Sequence, residues 1–374
     1  MGHADGKPTY VYSLDWVRAL TIVAVVAVHA VRFGLVPSRP DTGSLVQVLF
    51  QFGRVSFMVV TGFIVAYQYR SRTPRWMLFF QRRAKSAVAP YLIWLAVFLS
   101  LSVPVWPAAG FWHQYSRVLF TGNGHLYYLI ITFQMYLLAP VLIWGLGALK
   151  RRLAWLAAAS VIWEAGSWTM AGYLHQSGWA PALLVITYVG YFVLGGTLGY
   201  AWEAVRAWLR PRRRWLAVWM IPLWAAVILM FFTNLHWIGG LGVATSEFQP
   251  MSAVYCLGVT MVLLATGTWF EEARVQRPQL AWIVGLVADA SFGIYLVHPL
   301  FVHGWLNLAS RMGWSVNPVL NTAIALVLGV GLSIVVVVTI RLLPFSEYVV
   351  GTKRRIRATK VAASSSVSDH MAAS

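Results

Sequence analysis

Arg18 and His29 lie eleven residues apart in the apolar stretch SLDWVRALTIVAVVAVHA, residues 13–30. At about 100° per residue on an α-helix, that spacing returns to the same face, roughly 16 Å further along the axis. An imidazole titrates near neutrality and can take or give a proton there. A guanidinium binds phosphate, carboxylate or amide oxygens through several donors. One helix face therefore carries an anion or amide binder at one end and a general base at the other. Asp15, three residues before Arg18, is placed to pair with it. The plainer reading is an interfacial Asp15–Arg18 ion pair with His29 as a packing residue. Ionisable groups inside an apolar span are costly, however, and mark functional interiors by default.

Other polar groups interrupt apolar runs further on. Arg54 sits in QFGRVSFMVVTGF, Glu164 in VIWEAGSW, and His125 opens GHLYYL. A carboxylate such as Glu164 in lipid must be neutral or find a cation, and Arg54 is one possible partner. In DASFGIYLVHP, Asp289 and His298 are nine residues apart and face opposite ways, whereas Ser291 and His298 are seven apart and share a face. A lone histidine before a proline is commonly a helix-end structural group. Arg82, Arg83 and Lys85 form a basic cluster suited to phosphate, or simply a topology signal. Cys256, the single cysteine, lies in an apolar run and is read as packing.

The elements that must position these groups are membrane helices. Of 374 residues, 59% are hydrophobic and only 11% charged, below the share of an ordinary soluble domain. The 20 Trp and 16 Tyr suit aromatic belts at two interfaces. Ten apolar segments are expected to span, at about 12–33, 44–69, 87–105, 125–146, 153–173, 181–202, 215–235, 252–270, 282–305 and 318–342. Their connections place 23 Lys and Arg on one side and only Arg32, Arg39, Arg117 and Arg311 on the other. This asymmetry predicts both termini on the cytoplasmic side, and it accounts for the net charge of +18 without nucleic acid. The expected architecture is an all-α, polytopic transmembrane helix bundle over residues 1–345. A basic and then disordered cytoplasmic tail is expected over 346–374. The longer outer connections, 104–124 and 236–251, have room for small interfacial pieces.

Four motifs in order carry a resemblance. LDWVRALTIVAVVAVHA, FFQRRAKSAVAPYLIW (79–94), GHLYYLIITFQMYLLAP (124–140) and SFGIYLVHPLF (291–301) resemble the signatures of the membrane acyltransferase-3 family. Its members are bacterial O-acyltransferases of polysaccharides and of some antibiotics. Tyr127 stands where Trp is common in that family, and Thr61 where Ser is common.

The resemblance implies transfer of an acyl group, such as acetyl, from cytoplasmic acyl-CoA to a hydroxyl of a glycan or secreted small molecule. Acyl-CoA is then a donor substrate rather than a resident cofactor, and no metal is expected. Arg82, Arg83 and Lys85 would dock the CoA phosphates. The pantetheine arm would follow the Arg18 stripe, with Asp15 holding Arg18, and His29 would be the general base. A bacterial cytoplasmic membrane is the implied location, with lipid, acyl-CoA and the acceptor as partners. The rival class is a transporter or flippase of a glycan or lipid-linked precursor, in which Glu164 and His29 would relay protons. The sequence shows no internal repeat of the kind many transporters carry.

Overall fold

The computed structural model describes residues 9–103, 108–176, 185–246, 248–314 and 317–352. In chain order, α1 (Tyr12–Gly34) is followed by α2 (Pro40–Phe50) and α3 (Phe52–Tyr69), which form one bent apolar run. Next come α4 (Trp76–Arg83), a π-helical turn at Ala84–Val88, α5 (Ala89–Ser100) and the short α6 (Ala108–Val118). After a 3₁₀ turn at Gly124–Leu126 come α7 (Tyr127–Ala148), α8 (Leu153–Gln176), α9 (Val189–Tyr200) and α10 (Trp202–Val218). The chain continues through α11 (Met220–Thr233), α12 (Gly240–Ala244), α13 (Pro250–Gln276), α14 (Pro278–Arg311), α15 (Pro318–Ile340) and α16 (Ser346–Val350). The fold is an all-α transmembrane bundle, and the described residues contain no strand.

Helix occupies each of the ten expected segments where residues are described, and among the described residues seven runs are long and apolar enough to cross a membrane by themselves. The other three differ for local reasons. The segment at 87–105 is cut by the π-helical turn, so α5 keeps only 12 residues. The α8 helix dilutes its apolar residues with Ser, Gly, Trp and Glu164. The segment at 181–202 is described only from residue 185, and α9 has 12 residues. Short helices do occupy both longer outer connections, as α6 and α12.

Close contacts hold the bundle where side chains are small. A Cβ on Gly195 would strike the carbonyl of Val59, one on Gly199 that of Phe63, and one on Gly62 that of Phe192. The G-x-x-x-G of α9 thus lets α3 and α9 cross backbone against backbone, the usual way to gain dispersion contacts in lipid. Polar side chains link other pairs. Ser56 and Thr260 share a buried hydrogen bond of 2.7 Å between α3 and α13, and Trp16 Nε1 donates to Thr266 Oγ1 at 3.0 Å between α1 and α13. At the basic face, Arg206 pairs with Glu271 at 2.6 Å, and Arg210 and Arg213 pair with Glu272 at 2.6 and 2.9 Å, fastening α10 to the end of α13. Ser13 Oγ donates to the same Glu271 at 2.6 Å, which brings in the start of α1.

The stretch expected to begin a tail at 346 starts instead as α16 and packs on the bundle. Val350 is fully buried, and Trp94 Nε1 donates to the Val349 carbonyl at 2.9 Å. The remainder of that tail, 353–374, lies outside the described residues.

Candidate functional site

The polar face of α1 meets α14. Arg18 Nη2 donates to Ser291 Oγ at 3.1 Å, and the His29 and His298 rings stand 5.0 Å apart, centroid to centroid. The seven-residue step on α14 therefore matches the eleven-residue step on α1, with the long Arg18 side chain making up the difference. Asp289 points the other way and pairs with Arg341 at 2.7 Å. Asp15 does not hold Arg18. It accepts from Tyr10 Oη at 2.7 Å and sits in the first turn of α1, where the helix dipole favours an anion. The expected i, i+3 ion pair is replaced because Arg18 reaches inward to α14.

A third imidazole joins the upper level. The His125 ring is 6.1 Å from that of His29 and 5.3 Å from that of His298, and edge-on to Phe98 and Tyr295. Tyr295 Oη donates to the His125 carbonyl and fixes the turn that carries it. His298 is fully buried, with Nδ1 2.9 Å from the Tyr295 carbonyl and 3.0 Å from that of Ile294. Among the described residues, no three His, Cys, Asp or Glu side chains are arranged to hold a metal ion.

Two cavities follow this face. The first, about 150 Å³, is lined by His29, Arg32, Gln47, Gln51, Arg54, His125 and Tyr127 together with apolar residues. The second, about 250 Å³, is lined by Arg18, Thr61, Arg83, Ser86, Thr132, Tyr136 and Ser291, among others. Phe57, Tyr128 and Tyr295 line both. The order along each helix is consistent. Along α2 and α3, residues 50, 51 and 54 belong to the first cavity and 60, 61 and 64 to the second; on α7, Tyr127 belongs to the first and 129, 132 and 136 to the second. The cavities are thus stacked end to end, separated by one layer of aromatic rings from α3, α7 and α14. The Arg83 cavity lies at the level of Arg18, toward the start of α1, and the Arg32 cavity toward its end.

The remaining candidates divide. Arg54 Nη1 donates to Tyr127 Oη at 2.9 Å and lies over the Tyr188 ring, so it belongs to the His29 cavity and not to Glu164. Glu164 is fully buried, its carboxylate against Gly190. Its place at the start of α9 sets it against that helix's positive end. Of the basic cluster, only Arg83 lines a cavity, stacked on Tyr136 with its guanidinium 4.6 Å from the ring centroid; Arg82 and Lys85 are exposed.

Comparison with known families decides the class. A model described as an acyltransferase domain matches residues 11–338, nearly the whole chain. The chain belongs to the acyltransferase-3 family. This acyltransferase is 22% identical over 351 residues to a Staphylococcus aureus (strain MRSA252) protein named as a poly-beta-1,6-N-acetyl-D-glucosamine export protein, covering 90% of this chain and 95% of that one. It is 22% identical over 311 residues to a Bacillus subtilis (strain 168) protein named as a membrane-bound acyltransferase, YfiQ, covering 76% and 79%. No solved structure matches it.

Several cavity residues of the acyltransferase escaped sequence reasoning. Gln47 in α2 and Gln51 at its C-cap are four residues apart, a spacing that could have flagged a polar face. Arg32 reads in sequence as a loop-side charge, and Ser86 as part of a basic linker. The doubled tyrosine Tyr127–Tyr128 was visible as a motif, but its division between two cavities depends on helix packing.

Proposed function

We propose that this membrane acyltransferase moves an acyl group from acyl-CoA, entering at the basic face, to a hydroxyl presented in the His29 cavity. The observation that carries the proposal is the stacking of a basic and a histidine-lined cavity across one aromatic layer. Arg83 and Arg18 are suited to phosphate and to the pantetheine amides. The thioester would arrive at the layer of Phe57, Tyr128 and Tyr295, with His29 just beyond it. Gln47, Gln51 and Arg54 would hold the acceptor's polar groups. His29 would take the acceptor's proton as the oxygen attacks the thioester carbon. Collapse of the tetrahedral intermediate would break the C–S bond, and the His29 proton would pass to the departing thiolate. Tyr128 Oη, buried without a hydrogen-bond partner, lies where it could donate to the oxyanion.

A second reading draws on the name of the staphylococcal relative, an export protein of a polysaccharide. Export of a glycan needs a continuous path, and the aromatic layer weighs against one. The test is free-CoA release by purified protein in lipid nanodiscs with acetyl-CoA and a panel of sugar and polyol acceptors. Acceptor-dependent release that is lost in His29→Ala supports acyl transfer with His29 as base. Release unchanged in folded His29→Ala overturns the base. Failure to bind acyl-CoA at all favours the exporter.

A further inference from the structure

Residues 298 and 299 are His-Pro inside a continuous helix, since α14 runs from Pro278 to Arg311. Proline has no N–H, so the carbonyl four residues earlier, that of Tyr295, loses its helical donor. His298 Nδ1 supplies one instead, 2.9 Å from that oxygen and 3.0 Å from the Ile294 carbonyl. Carbonyl oxygens only accept, so Nδ1 carries the proton in this arrangement. In the neutral ring, Nε2 is then a bare acceptor. It is buried and has no hydrogen-bond partner.

The ring nearest to this nitrogen's ring is His29, with centroids 5.0 Å apart; His125 is at 5.3 Å. Two imidazoles joined by an N–H···N bond of about 2.9 Å have centroids roughly 5 Å apart. Both imidazoles line the cavity, but His125 is held edge-on between Phe98 and Tyr295, and its ring lies further off. We propose that His298 is a positioning residue for His29. The two rings are adjacent but unbonded in this structure; a turn of the His29 ring brings its N–H onto Nε2 and leaves the other His29 nitrogen bare to take the acceptor's proton. When His29 is protonated during transfer, the same bond steadies the imidazolium, and His298 itself gains no proton. The role corresponds to the acceptor that orients a catalytic histidine in hydrolase triads, with a neutral ring in place of a carboxylate. It rests on His29 being the general base.

The two nitrogens of His298 can be separated by substitution. His298→Gln puts an amide oxygen near the Nε2 position, and His298→Asn puts an amide N–H near the Nδ1 position. The proposal expects His298→Ala to lower kcat by about 10- to 100-fold with little change in KM for acyl-CoA, as for other bonds that orient a working imidazole. His298→Gln should recover part of that loss and His298→Asn should not. If His298 only caps the helix carbonyls, Asn rescues and Gln does not, which overturns the proposal. Wild-type kcat in all three variants also overturns it. His29→Ala in parallel separates the two ideas: activity retained there defeats the base itself, whereas activity lost there but intact in the His298 variants defeats only the positioning role. Should the variants fail to fold, ¹⁵N-histidine spectra of the wild type decide. A hydrogen-bond coupling between a His29 N–H and a bare His298 Nε2 supports the assignment; its absence, or a proton on His298 Nε2, overturns it.

Discussion

The rings of Tyr128 and Tyr295 stand 5.9 Å apart, centroid to centroid, and each lines both cavities. With Phe57 they form the layer shared by the Arg18 cavity and the His29 cavity. Any acyl group that passes from one level to the other meets these rings, so their bulk should set its length.

Replacing Phe57 or Tyr128 by Ala is expected to admit longer chains. Each methylene fitted into an apolar site is worth roughly 10- to 200-fold in kcat/KM. The butyryl-to-acetyl ratio should therefore rise by about tenfold or more in at least one variant. Free-CoA release with acetyl-, butyryl- and hexanoyl-CoA measures it. An unchanged chain-length profile in folded variants would sink the idea.

The Arg18–Ser291 contact gives a second expectation. A hydrogen bond to a charged group is worth about 1.5–3 kcal/mol, so Arg18→Ala should raise KM for acyl-CoA by roughly 10- to 100-fold. Ser291→Ala removes only one neutral partner and should cost less than about tenfold. Arg18→Lys should restore little, because an ammonium lacks the planar fork. Equal effects of Arg18→Ala and Ser291→Ala would mean that the pair serves folding rather than the donor.

Within the basic cluster, only Arg83 faces a cavity. Arg83→Ala should raise KM for acyl-CoA by about tenfold, the scale of one charge-assisted bond. Arg82→Ala and Lys85→Ala should stay within about twofold, as exposed charges do. KM for all three in one nanodisc preparation checks this, and a ranking led by Lys85 contradicts it.

Glu164 offers a test against proton relay. Its carboxyl is fully buried and lines neither stacked cavity, so the neutral isostere Glu164→Gln should fold and retain acyl transfer within a few-fold. Size-exclusion profile and turnover report both properties. Loss of turnover in a well-folded Glu164→Gln would return Glu164 to the chemistry.

The α3–α9 crossing is expected to be intolerant of added bulk. Gly195→Val places side-chain atoms on the Val59 carbonyl and should destabilise by about 1–3 kcal/mol, the scale of overpacking a close contact. A thermal melt in detergent should show a lowered midpoint. Gly145→Val, in open space on α7, is the matched control and should not lower the midpoint.

Much of this site was legible in the sequence because helix geometry is local. The eleven-residue step from Arg18 to His29, the seven-residue step from Ser291 to His298 and the outward turn of Asp289 all follow from 100° per residue. The partners were not legible. Asp15 had Arg18 within one turn, yet Tyr10 takes the carboxylate because Arg18 is drawn across to α14. Arg83 could not be told from Arg82 and Lys85, since the π-helical turn beginning at Ala84 alters the phase of that face. Which tyrosine of the Tyr127–Tyr128 pair meets which cavity depends on how α7 packs against α3 and α14, information that no single helix contains.

The aromatic layer has an electrical consequence. Two polar chambers that met end to end would make a conducting pore. Because they stop at three rings, the insulating thickness at this point is only about one side chain deep. The membrane voltage then falls mostly across that short distance, at about 2.3 kcal/mol per elementary charge per 100 mV for any charge carried through it. A neutral thioester can cross this barrier without electrical work. The phosphates of a CoA donor would be held back instead by the cost of stripping their water at an apolar layer, because an interior-negative voltage pushes anions outward.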